Sequence, residues 1–103
     1  MAPLQPERVR HSVVFRLAHP EGSDGEREFL AAIAALATIK GVEAFELMRE
    51  VSPKNGYEFA LTMEFADQAA YQAYNQHPEH VGFVRSRWDS EVADFLEIDT
   101  VPL

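Results

Sequence analysis

From Val9 onward, His11, Val13, Phe15 and Leu17 share one parity while Arg10, Ser12, Val14 and Arg16 share the other, the two-residue period of a half-buried strand. The stretch Ala18-His19-Pro20-Glu21-Gly22 stops it, because proline and glycine both interrupt a ladder. The period then lengthens. Ser23 with Glu26 makes a capping-box signal, and Phe29, Ile33, Leu36 and Ala37 recur at helical spacing, predicting a helix from about Asp24 to Ile39 that closes at Lys40-Gly41. Val42 to Val51 reads as a second strand. Its apolar residues fall on both parities, Val42, Ala44 and Met48 against Phe45, Leu47 and Val51, the pattern of a strand covered on both faces. Ser52-Pro53-Lys54-Asn55-Gly56 ends in an Asn-Gly hairpin signal. The clearest alternation follows, with Tyr57, Phe59, Leu61, Met63 and Phe65 against Glu58, Ala60, Thr62 and Glu64. Asp67 caps a second helical region that Pro78 interrupts and that resumes to about Trp88. Val92 to Val101 completes the series as a strand, with Leu96 and Ile98 on either side of Glu97 and with Asp99 following.

The order strand, helix, strand, strand, helix, strand predicts an α+β, ferredoxin-like fold: a four-stranded antiparallel sheet with its helices on one face. The other face carries Val14, Ala60 and Thr62 among charged residues, which predicts a homodimer built on that surface. Residues 1–8 read as a flexible N-terminal arm, and residues 9–103 as one domain.

Composition narrows the partners. With 103 residues, 47% of them hydrophobic, the chain can bury a single core. Nine Lys and Arg against 17 Asp and Glu leave a net charge of −8, which argues against nucleic acid and anionic membranes as partners. There is no cysteine, so thiol catalysis, disulfides and thiolate metal sites are excluded. The first ten residues do not read as a signal peptide and no stretch reaches membrane-spanning length, so a cytoplasmic location is the expectation.

Candidate chemistry collects between Tyr71 and Phe83, which holds two of the four histidines. A helix through Tyr71 and Tyr74 cannot continue past Pro78, and a new one can begin there with His77 at its N-cap and Glu79 in its first turn. His80 then sits near free helix N–H groups, whose positive potential favours the neutral imidazole. Six residues apart on an unbroken helix, Tyr74 and His80 would diverge; the break allows them to converge.

With these motifs in place, the chain resembles the stress-responsive dimeric α/β-barrel (Dabb) family from about His11 to Asp99. The resemblance rests on His11 opening the first strand, Asn55-Gly56-Tyr57, Phe65, and Tyr74 followed by His77-Pro78-Glu79-His80-Val81-Gly82-Phe83. It implies a dimeric α+β barrel. Around Tyr74, His80 and Val81-Gly82-Phe83 the chain is also similar to a plant polyketide cyclase branch that includes olivetolic acid cyclase. That similarity implies a cofactor-free aldol condensation carried by Tyr74 and His80, supported by His11 and a C-terminal acid, either Asp99 or Asp94. The implied ligand is a small apolar or polyketide-like molecule.

Each residue also has a plainer role. His80 reads as a general base with Asp99 on its other ring nitrogen, or as a histidine that secures the helix break. Tyr74 reads as an oxyanion donor or a packed core phenol. His11 lies on the core face, where a partnered structural histidine is the commoner case, and His19 sits in a loop without an evident partner. A metal site from His77, His80 and His11 or Glu79 is disfavoured, since the intervening proline turns the first two apart; no metal and no cofactor are expected. A non-catalytic protein that binds a hydrophobic metabolite or serves stress tolerance is the alternative function, and an oxygen-using monooxygenase is a third, weaker one.

Overall fold

A computed structural model describes residues 4–103. The chain runs β1 (Val9–Leu17), α1 (Asp24–Ala34) with a 3-10 extension (Ala35–Thr38), β2 (Glu43–Arg49), β3 (Phe59–Phe65), α2 (Gln68–Gln76) and α3 (Pro78–Phe83). A π-helical stretch (Val84–Trp88), the single turn α4 (Asp89–Glu91) and β4 (Val92–Thr100) complete it. Sheet order is β2-β3-β1-β4 with every neighbouring pair antiparallel. β3 therefore lies between β1 and β2, the split β-α-β arrangement of a ferredoxin-like fold.

The two alternating strands behave as their period requires. Val9, Val13, Phe15 and Leu17 of β1 and Phe59, Leu61, Met63 and Phe65 of β3 are buried, and they pack under Phe29 and Ile33 of α1 and Tyr71 and Tyr74 of α2. At the start of α1 the Ser23 hydroxyl accepts from the Glu26 N–H at 3.2 Å, and the Glu26 carboxylate accepts from the Gly22 N–H at 3.1 Å. The predicted helix tightens to 3-10 geometry after Ala34, which satisfies the last turn with shorter-range bonds. Gly41 follows with φ +94°, a conformation that glycine adopts without penalty.

β2 departs from its reading as a strand covered on both faces. Glu43 pairs with Glu64 and Glu46 with Thr62, so one extra residue bulges out between them, with Ala44 at φ +49°. The bulge shifts parity, and Val42, Phe45 and Leu47 all pack against the core. The mixed parity thus encodes a bulge. The hairpin that follows is longer than a tight Asn-Gly turn: Asn55 Oδ1 accepts from the Tyr57 N–H at 2.9 Å, and β3 begins at Phe59.

β4 is inverted relative to a simple core strand. Its register, Phe95 opposite Phe15, Glu97 opposite Val13 and Asp99 opposite His11, turns two acids to the helix side. Leu96 and Ile98 face outward and are 50% and 49% exposed. At the other end of β1, His19 has a partner after all: its Nε2 lies 2.6 Å from Glu91 Oε1, and the Ala18 N–H donates to the Glu91 carbonyl at 2.8 Å. Residues 1–3 of the anticipated arm lie outside the described residues, while Arg8 at its end pairs with Glu43 and Glu64. Among the described residues no helix is long and apolar enough to cross a membrane.

Candidate functional site

Pro78 bends the second helical region as its ring demands. His77, extended at φ −64° and ψ 133°, ends α2 and caps α3, its Nδ1 accepting from the Glu79 N–H at 3.1 Å. The bend brings His80 onto Tyr74, with ring centroids 4.4 Å apart and planes tilted by 40°. His80 Nδ1 lies 3.2 Å from the Asn75 carbonyl. A carbonyl only accepts, so Nδ1 carries the proton and Nε2 is left with a lone pair. Burial lowers the pKa of this imidazole; the Asn75 carbonyl opposes the shift and the nearby His11 adds to it. The ring is neutral at pH 7.

Tyr74 is 2% exposed, and desolvation, reinforced by the Glu97 carboxylate, raises its pKa so that it stays a phenol. Its hydroxyl makes no hydrogen bond among the described residues, yet the one buried side-chain oxygen or nitrogen without a partner is Glu26 Oε2. The Tyr74 hydroxyl is therefore not sealed in the core. Tyr74 lines a cavity of about 280 Å³ whose other polar lining residues are His11, Asn75, His80, Asp89 and Glu97. Val13, Ile33, Leu36, Leu61, Phe83, Trp88 and Phe95 form the apolar remainder. The π-helical stretch contributes both Val84 and Trp88 to this wall, and Trp88 meets Phe95 edge to face at 5.4 Å.

Asp99 does not serve His80. Its Oδ1 lies 2.6 Å from His11 Nδ1, and its Oδ2 accepts from the Tyr71 hydroxyl at 2.9 Å. The β1–β4 register is the cause, since it sets Asp99 directly across from His11, whereas His80 arrives from α3. Asp94 sits opposite Arg16 near the far end of the strand and takes no part. The Tyr71 hydroxyl is also 2.9 Å from His11 Nδ1 and 3.1 Å from Glu97 Oε1, and burial followed by the Asp99 bond raises its pKa. His11, Glu97 and Asp99 offer ligand atoms within 4.8 Å of one another, and the Tyr71 hydroxyl lies within 2.9–3.1 Å of all three, its single proton available to one carboxylate at a time.

The residues singled out from sequence, Tyr74, His80, His11 and Asp99, thus converge on one region, the first three in the cavity wall and Asp99 behind His11. Tyr71, Glu97, Trp88 and Phe95 were not singled out. Two of them had a local signal: Tyr71 lies three residues before Tyr74 on one helix face, and Glu97 lies two before Asp99 on one strand face. Trp88 and Phe95 had none, because they meet only through the tertiary fold.

The family model of the stress responsive A/B barrel domain matches residues 9–102. No curated protein sequence matches the chain. Among solved structures, a Dabb family protein with a ferredoxin-like fold from Mesorhizobium loti is 56% identical, with a TM-score of 0.90 over 93% of this chain and 97% of the other. A dimeric ferredoxin-like protein of unknown function from Thermobifida fusca is 20% identical, with a TM-score of 0.76 over 97% and 95%. The hydroxynitrile lyase of Passiflora edulis is 16% identical, with a TM-score of 0.83 over 96% of each chain. At these last two identities the likeness is one of fold.

Proposed function

Since the chain belongs to the stress responsive A/B barrel (Dabb) domain family, we propose that it is a cofactor-free acid–base catalyst of the lyase or cyclase type, acting on a small apolar carbonyl compound. The reaction is removal of a proton from carbon next to a carbonyl, followed by rearrangement of carbon–carbon bonds as in the aldol step of a polyketide cyclase. The observation that carries this reading is the meeting of a neutral imidazole and a partnerless phenol, 4.4 Å apart, on the wall of an apolar cavity. Such a reaction needs a base, a hydrogen-bond donor for the developing enolate and exclusion of water. The hydroxynitrile lyase of the same fold supports the reading to the extent that this scaffold hosts lyase chemistry elsewhere.

The functional unit is a homodimer in this reading. Leu96, Ile98 and Met48 are large apolar residues exposed outside the helix-covered core, and burying such residues stabilises association. The dimeric relative from Thermobifida fusca supports the same arrangement.

Incubation with a linear aryl polyketone, followed by ultraviolet detection of a new aromatic ring, tests the activity. The wild type is expected to cyclise it, and His80→Ala to lose activity with an unchanged circular dichroism spectrum. Binding of the polyketone without turnover by the wild type would instead establish the non-catalytic, metabolite-binding alternative.

A further inference from the structure

The cavity has a second imidazole, and it is the better equipped of the two to take a proton. We infer that His11, positioned by Asp99 and Tyr71, is the base that abstracts the substrate proton, and that Tyr74 holds the substrate oxygen. This rests on the carbonyl chemistry proposed above and reassigns its central role.

The argument begins with hydrogen-bond accounting. An ionised carboxylate only accepts, so the 2.6 Å contact between Asp99 Oδ1 and His11 Nδ1 places a proton on Nδ1. His11 Nε2 then carries the lone pair. That nitrogen makes no hydrogen bond among the described residues, and it is not among the sealed, partnerless atoms, of which Glu26 Oε2 is the one case. Since His11 forms part of the cavity wall, the lone pair opens on the space where a ligand would sit. His80 presents a lone pair to the same region, but the partner behind it is the neutral Asn75 carbonyl. A carboxylate behind an imidazole stabilises the imidazolium that forms on proton transfer; a carbonyl does so far less.

The supporting shell points the same way. The Tyr71 hydroxyl touches His11 Nδ1 and both carboxylates at 2.9–3.1 Å, holding Asp99 and the ring edge in place from a buried position in α2. The titratable groups beside His11 include Asp99, Glu97, Tyr71, Tyr74 and His80, and Asp89 lines the same cavity. Tyr74 lies between the two imidazoles, its ring 6.5 Å from that of His11 and 4.4 Å from that of His80. In the step assigned here the C–H bond beside a carbonyl breaks, its proton passes to His11 Nε2, and the electron pair moves into the carbonyl to give an enolate. The Tyr74 hydroxyl donates a hydrogen bond to the enolate oxygen. The enolate carbon then bonds to a second carbonyl carbon of the substrate, and protonation of the resulting alkoxide oxygen by the His11 imidazolium returns the site to its starting state.

Nitrobenzisoxazole is a suitable probe: a base removes its ring C–H proton, the C–H electrons form a nitrile as the N–O bond breaks, and a coloured phenolate results. The wild type is expected to accelerate this elimination. His11→Asn lowers the rate by about 100-fold or more, the usual scale for a positioned base, and a larger factor than His80→Asn does. Asp99→Asn, which keeps the shape of the site even should His11→Asn fold poorly, lowers the rate by about tenfold or more. It does so in kcat with KM little changed, because the carboxylate behind the imidazole acts on the transition state rather than on substrate binding. Loss of a purely structural Asp99 would disturb KM and the circular dichroism spectrum as well. Should His80→Asn abolish the elimination while His11→Asn and Asp99→Asn retain it, this assignment falls and the carbonyl chemistry stands. Absence of any acceleration by the wild type would overturn both.

Discussion

At His80, folding is coupled to pH with a sign that can be worked out. Burial lowers its pKa below the ordinary 6.5, so in the window between the folded value and 6.5 the unfolded chain binds more protons than the native one. Stability then rises with pH across that window. The contribution is complete above the unfolded value and is lost as pH falls through the folded one. An NMR titration of the His80 ring is expected to give a midpoint below 6.5, and His80→Gln to flatten the decline of the urea midpoint on acidification below about pH 6.5. A midpoint at or above the ordinary value would remove the argument for a neutral ring. Local sequence already implied this neutrality through the proline and the helix start, but the principal cause is burial, which a linear motif does not reveal.

Among elements, the contact between the start of α1 and the end of β1 is close enough to be tested with one methyl group. A Cβ on Gly25 would lie 2.3 Å from His19 Nδ1, so the imidazole must move and its 2.6 Å bond to Glu91 is lost. Losing a hydrogen bond to a charged group costs about 1.5–3 kcal/mol, and alanine in place of helical glycine returns about 0.5–1 kcal/mol. Gly25→Ala is therefore expected to destabilise by about 1 kcal/mol in urea denaturation. In a His19→Ala background the same change should be neutral or stabilising, since the obstruction is gone. The parts that were legible, β1, the body of β3 though not its start, and the break at Pro78, are those in which each residue obeys a local rule. β2 was misjudged because a bulge at Ala44 and a two-sided strand produce the same mixed parity.

For the molecule as a whole, the homodimer proposed above can be tested at the outward face of β4. Leu96 and Ile98 are about half exposed, and a pair of lysines there would place charge in any interface that covers them. Sedimentation at micromolar concentration is expected to show a dimer for the wild type and a monomer for Leu96→Lys/Ile98→Lys. An unchanged mass would mean that the chains associate elsewhere or not at all.

Order and type of the elements, the capped start of α1 and the His77–Pro78 bend followed from residue patterns, because turn chemistry, capping and periodicity act over a few neighbouring positions. The bend allowed Tyr74 and His80 to converge, and the place of His11 beside them came only from the family resemblance. Which carboxylate stands behind which imidazole did not follow. Asp99 reaches His11 across 88 residues through the β1–β4 register, and Trp88 meets Phe95 only once the π-helical stretch and β4 have closed on one another. Pairings of that kind are set by the packing of distant strands and helices, to which no short-range preference contributes.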